Sequence, residues 1–177
     1  MTTLSRHFII AVPADAVWDL VGRRFGRIGD WATAIPTSTP IGHTFDQTAS
    51  SAVSEIVDAP DAGRVCQTGI RLMPQVTETI VAYDDATRTL TYQASGLPGF
   101  VTTARNTWTV TPLGQRRTRV SLQAQFDTRG LLGALACWAI LLQVARTSRH
   151  LAEDLAHYLE HGTPSPRKQR QLRRAVR

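Results

Sequence analysis

The chain has 177 residues, 42% of them hydrophobic and 19% charged, with 12 Gly and 9 Pro, which fits one folded domain and excludes a disordered, collagenous or disulfide-dense chain. Its net charge of +6 comes from 20 Lys and Arg against 14 Asp and Glu, and the whole excess (Arg167, Lys168, Arg170, Arg173, Arg174 and Arg177) falls in the last 15 residues. Residues 1–162 carry 14 charges of each sign, so the body lacks the broad basic patch that sequence-specific nucleic-acid binding needs.

In chain order, the apolar run at 8–12 reads as a short strand. At five residues it is shorter than a signal-peptide core of about 7–15. Pro13 and Asp15 open a helix to Val21 that places Val17, Leu20 and Val21 on one face. Gly22, Gly26 and Gly29 punctuate a second short helix over 25–31. Residues 32–51 are rich in Thr, Ser, Pro and Gly, and after them the period becomes two. Strands are predicted at 52–58, 64–71, 75–83, 88–95, 101–111 and 117–127, separated by breakers such as Pro60-Asp61-Ala62-Gly63, Gly96-Leu97-Pro98-Gly99 and Pro112-Leu113-Gly114. In the last pair, Ala104, Asn106, Trp108 and Val110 alternate with Arg105, Thr107 and Thr109. Val120, Leu122, Ala124 and Phe126 alternate with Ser121, Gln123 and Gln125, so the even-numbered sides should face inward.

A long helix is predicted over 131–160. Its first half, 131–145, is apolar nearly all round, yet these 15 residues fall short of the roughly 20 that a bilayer requires. That half belongs inside the protein or against a partner. The second half keeps Leu151, Leu155 and Leu159 at fourfold spacing among charges. Gly162 ends the helix, and Pro164 and Pro166 are expected to prevent its resumption, leaving 163–177 as a basic, mobile tail. One strand, two small helices, six strands and one long helix imply an α+β domain over 1–162. Consecutive hairpins make its sheet antiparallel and seven-stranded, curved around the long C-terminal helix. Such a sheet cannot close fully on a single helix, so a cavity is expected between them.

The pattern resembles the START-like helix-grip superfamily, SRPBCC, the fold of the birch-pollen allergens, and within it the polyketide cyclase/dehydrase-like branch. The resemblance is carried by Pro13-Ala14-Asp15-Ala16-Val17-Trp18, by Phe25-Gly26-Arg27-Ile28-Gly29-Asp30-Trp31, and by Tyr83-Asp84-Asp85-Ala86-Thr87-Arg88-Thr89-Leu90-Thr91-Tyr92. Trp108 with Pro112 and Glu153-Asp154-Leu155 extend it over roughly residues 5–161. It implies a hydrophobic cavity between sheet and long helix that holds a lipid, polyketide, isoprenoid or similar small molecule. It does not specify chemistry, because this fold serves carriers, sensors, regulators and a few enzymes.

Two residues are candidates for proton transfer. Glu78 shares a strand parity with Val76 and Ile80. Facing inward, its carboxylate would stand in an apolar cavity as an acid or base. The alternative, with Thr77, Thr79, Val81 and Tyr83 inward and Glu78 solvated, is preferred because Glu is rarely buried without a partner. Tyr92, beside Leu90 and Ala94, can present a hydroxyl to a ligand or bond to backbone. Asn106 shares the inward side with Trp108, where its amide can orient a ligand or be satisfied by backbone. Trp31 is expected near the cavity mouth, and Phe126, Leu135, Trp138 and Leu142 along its walls, although an aromatic at such sites is more often core than contact.

No metal or cofactor is expected. His157 and His161 have the i, i+4 spacing of two ligands, without the intervening Glu of a zincin or a third ligand. His7 and His43 have no recognisable nucleophile beside them, and no G-x-S-x-G occurs. Cys66 and Cys137 form no C-x-x-C and have no His at metal spacing, so neither zinc nor a disulfide framework is indicated and a reducing cytoplasm is the expected location. The expected function is binding of an apolar small molecule as carrier or sensor. The alternatives are a polyketide cyclase or dehydratase and a protein-interaction module with an apolar helix face. Peripheral membrane contact through 131–145 and the tail stays open, as does homodimerisation.

Overall fold

The computed structural model describes residues 2–43, 59–71 and 73–175, with backbone alone at 131, 132, 134–141, 144 and 175. Strand β1 (Thr2–Ile10) leads into the short helix α1 (Ala14–Trp18), which widens into one π turn (Asp19–Arg23) and is followed by a 3₁₀ helix (Phe25–Asp30). Six further strands follow: β2 (Thr37–Ile41), β3 (Gly63–Ile70), β4 (Met73–Asp84), β5 (Thr89–Ser95), β6 (Val101–Gly114) and β7 (Arg117–Thr128). The long helix α2 (Gly130–His161) and a last helix α3 (Pro166–Ala175) complete the order. Among the described residues the seven strands form one sheet in the order β1-β7-β6-β5-β4-β3-β2, with every pair antiparallel.

The predicted strands from 64 to 127 and the long helix are where the hydrophobic periods place them. The strand predicted at 52–58 lies outside the described residues. The seventh strand is β2, in the Thr-, Ser-, Pro- and Gly-rich stretch where no strand is predicted. Its Thr-Ser-Thr-Pro-Ile sequence carries Pro40, which suits a strand at the sheet edge, where one row of N–H groups has no partner strand. The even-numbered residues of β6 and β7 face inward: Trp108, Val110, Val120, Leu122, Ala124 and Phe126 are all buried.

Where a mobile tail is expected, the chain forms α3. Ser165 is its N-cap, the side-chain oxygen accepting the Lys168 N–H at 3.3 Å. Pro166, read as a barrier, occupies the first helical position, where the missing N–H is not needed. Gly162 takes a left-handed conformation (φ 67°) and closes α2, its N–H donating to the Tyr158 carbonyl at 2.9 Å. None of the described helices is long and apolar enough to cross a membrane.

The family-like sequence stretches turn out to be structural. Trp18 stacks on Tyr83 at 5.4 Å between ring centres, and its indole N–H donates to Asp85 Oδ1 at 2.8 Å. Arg23 clamps both oxygens of the same carboxylate at 2.9 Å. The Arg23 guanidinium and the Trp18 N–H therefore hold the Asp85 carboxyl well below the usual range. Together these contacts fasten α1 to the β4–β5 hairpin. In the Phe25 to Trp31 stretch, a Cβ on Gly29 would lie 2.4 Å from the Ser38 backbone nitrogen. Glycine there lets β2 pass directly under the 3₁₀ helix.

Candidate functional site

The inner face of the sheet changes side-chain volume along its length. Near α1 the cross-strand rows are Tyr83, Leu90, Trp108 and Leu122, then Val110 and Val120. These fill the space below α1 with the buried Val17 and Trp18. Towards the other end, Tyr92 pairs with Asn106 and Asn106 with Ala124, Glu78 pairs with Ala94, and Ala104 with Phe126. Alanines 94, 104 and 124 are too short to reach across to the helix layer. The space above them is a cavity of about 610 Å³, walled also by Val76, Met73, Leu97, Phe100, Ile35 and the α2 residues Gln143 and Thr147. Its volume lies within the range of small-molecule sites, roughly 300–1,000 Å³.

One charged cluster borders this space. Glu78 faces inward and lines the cavity, which corrects the preferred sequence reading of a solvated side chain. The partner missing from that reading is Arg64, directly opposite on β3. Its Nε donates to Glu78 Oε2 at 2.5 Å, and its Nη1 to the Phe25 carbonyl at 2.7 Å. The guanidinium carbon also stands 3.7 Å from the centre of the Phe25 ring and 5.3 Å from that of Tyr92, within cation–π range. Burial disfavours the Arg64 charge, but Glu78 and its polar neighbours more than offset this and raise its pKa. Burial, with Glu78 nearby, pushes the Cys66 thiol up to about 12. The same two causes raise Tyr92, so at neutral pH both groups keep their protons.

A β-bulge explains why parity misled. Pairing between β4 and β5 shifts between Ile80 and Ala82, so Val76, Glu78 and Ile80 face inward before it and Tyr83 after it. Each of the two sequence readings holds on one side of the bulge.

Of the other candidates, Asn106 and Phe126 line the cavity. The Asn106 amide makes no side-chain hydrogen bond among the described residues and is free to meet a ligand. Tyr92 and Trp108 belong instead to the packed core, where the Tyr92 ring lies 5.2 Å from Phe25. Trp31 is fully buried in the hydrophobic core rather than placed at a mouth, and its indole N–H has no partner among the described residues. Leu142 is 50% exposed and points away from the interior, because α2 turns its Gln143 and Thr147 side to the cavity. Leu135 and Trp138 have side chains outside the described set. His157 and His161 stack at 4.3 Å, and no metal-binding cluster occurs among the described residues.

An antiparallel sheet gripping one long helix around an apolar cavity defines a START-like, helix-grip α+β protein. The chain belongs to the family described as polyketide cyclase / dehydrase and lipid transport, whose model matches residues 1–160. No curated protein matches it. Among solved structures, the Zhui aromatase/cyclase from Streptomyces sp. R1128 is 17% identical with a TM-score of 0.68, over 90% of this chain and 93% of that one. A START superfamily protein from Mycobacterium smegmatis is 15% identical (TM-score 0.66; 91% and 99% covered). A protein from Thermobifida fusca is 28% identical (TM-score 0.62; 91% and 97% covered).

Proposed function

We propose that the protein binds an apolar small molecule of the lipid, polyketide or isoprenoid kind in the cavity between sheet and α2, as a carrier or sensor. The observation that carries this reading is the alanine-floored cavity of about 610 Å³. Its walls are mostly apolar, with a few polar groups, Thr68, Glu78, Asn106, Gln125, Gln143 and Thr147, to orient a ligand. A cytoplasmic location, argued from cysteine usage, goes with this proposal. So does the ligand-contacting role of Asn106 and Phe126. The test is a native mass spectrum of the protein from its own host before and after organic extraction. A stoichiometric apolar adduct, returned unchanged, is expected. No adduct, together with no uptake of added fatty acids or aromatic polyketides, would overturn the reading.

A second reading, a cyclase or dehydratase acting on a polyketide-like chain, is favoured by one observation: the Glu78 carboxylate opens on the cavity while Arg64 holds one of its oxygens. In that role Glu78 would move a proton on a chain folded against the alanine floor. Tyr92, away from the cavity, is less suited to it. Glu78→Gln would then leave binding largely intact and abolish turnover. The open interior counts against the third reading, an interaction module with a filled core.

A further inference from the structure

Helix α3 lies beyond residue 160, where the family match ends, and its two faces differ. The inner face is docked. Lys168 is 0% exposed, and its Nζ donates to the carbonyls of Ile35 at 2.8 Å and Pro36 at 2.9 Å and to Gln171 Oε1 at 3.1 Å. Gln171 in turn donates to the Thr33 carbonyl at 3.2 Å. From α2, Asp154 accepts hydrogen bonds from the Ser165 hydroxyl at 2.6 Å and the Thr33 N–H at 2.7 Å. Ile35, held within this clasp, is part of the cavity wall.

The outer face carries Arg170, Arg173 and Arg174, which the i, i+3, i+4 spacing places together, opposite Lys168. All three are exposed, and none pairs with an acid among the described residues. Arg167, by contrast, is neutralised by Glu153 at 2.5 Å. Leu172, 38% exposed, flanks the stripe.

We propose that this arginine face docks the protein on an anionic bilayer, with α3 lying between the lipid surface and the Ile35 wall of the cavity. Charge complementarity selects a polyanion. Nucleic acid is the poorer match, because residues 1–162 carry 14 charges of each sign and so add no net positive charge against a phosphate backbone. The choice of a bilayer rests on the apolar-ligand reading above, since a lipid surface is where such a ligand is collected or released.

The test is co-sedimentation of the full chain with vesicles of phosphatidylglycerol and phosphatidylcholine, and with phosphatidylcholine alone. Wild type is compared with the triple variant Arg170→Gln, Arg173→Gln, Arg174→Gln, which leaves the docked face untouched. Each basic group near an anionic surface contributes about fivefold in affinity, so the triple variant is expected to bind about a hundredfold more weakly. Wild type should bind only the anionic vesicles and leave them in high salt. Failure of wild type to bind anionic vesicles, equal binding by the triple variant, or tighter binding to duplex DNA than to the vesicles would overturn the proposal. Vesicle binding without an apolar adduct in the native mass spectrum would support the docking face and count against the ligand reading alone.

Discussion

The two ends of the sheet's inner face are built on the same strands and do opposite things. At one end, Leu90, Trp108 and Leu122 stand side by side and pack solid against α1. Four residues back along β6, about 13 Å at strand rise, Ala104 begins the open region with Ala94 and Ala124. Both ends are apolar and both face the helix layer. Only side-chain volume separates a core from a binding space, because a short side chain leaves a gap that its neighbours do not collapse to fill. Arg64 and Glu78 stand on the border, charged on the open side and buttressed by Phe25 on the packed one.

That contrast can be broken from either end. The largest effect is expected from Trp108→Ala, which would carve a hole in the packed end and cost about 4 kcal/mol in chemical denaturation. Ligand retention in the open end should survive in the fraction that stays folded. Next comes Arg64→Met, which strips Glu78 and the Phe25 carbonyl of their partner and should cost about 3 kcal/mol. Adding Glu78→Leu should restore most of this loss, as replacing a whole buried pair does elsewhere. Lys168→Met leaves the carbonyls of Ile35 and Pro36 without a donor, for about 2 kcal/mol.

The same lysine gives a pH test. Burial pushes Lys168 down to about 8 despite Asp154 and Asp30. Between pH 8 and about 10.4, the ordinary lysine value, the unfolded chain therefore holds a proton that the folded chain has released. Wild type should gain stability relative to Lys168→Met as pH rises through that window, and the difference should be flat below it. The smallest effect on stability, under about 1 kcal/mol, is expected from Ala104→Leu, which fills space already present. Its consequence for function should be the greatest of the series: loss of the apolar adduct by native mass spectrometry from a protein that melts normally.

Alternation in β6 and β7 was enough to read the inward side of the sheet, and the four-residue spacing of Leu151, Leu155 and Leu159 to read α2. Period-two reasoning treats Ala and Leu alike, however, so it announced an apolar interior without saying which part would be empty. It assigns Trp108 and Tyr92 to a ligand for that reason, although both belong to the packed core. The neighbours of Arg64 in sequence, Gly63 and Val65, give no hint of the carboxylate opposite, 14 positions away. The bulge after Ile80 leaves no pattern in composition. The fold of the last residues is hidden for a different reason: Ser165-Pro166 is both a plausible end of structure and a good helix start, and only the carbonyls of Ile35 and Pro36, which Lys168 bonds, decide between them.

The placement of β1 beside β7 has a cost in time. Thr2 lies opposite Phe126 and Ile10 opposite Thr118, so the first strand made is paired by the last. At about 5–20 residues per second of synthesis, β1 waits on the order of ten seconds for its partner to emerge. Throughout that interval Phe8 and Ile10 and the unpaired backbone around them are open to other chains. The ribosome-bound stage, rather than the finished molecule, is where this protein is most vulnerable to misassociation.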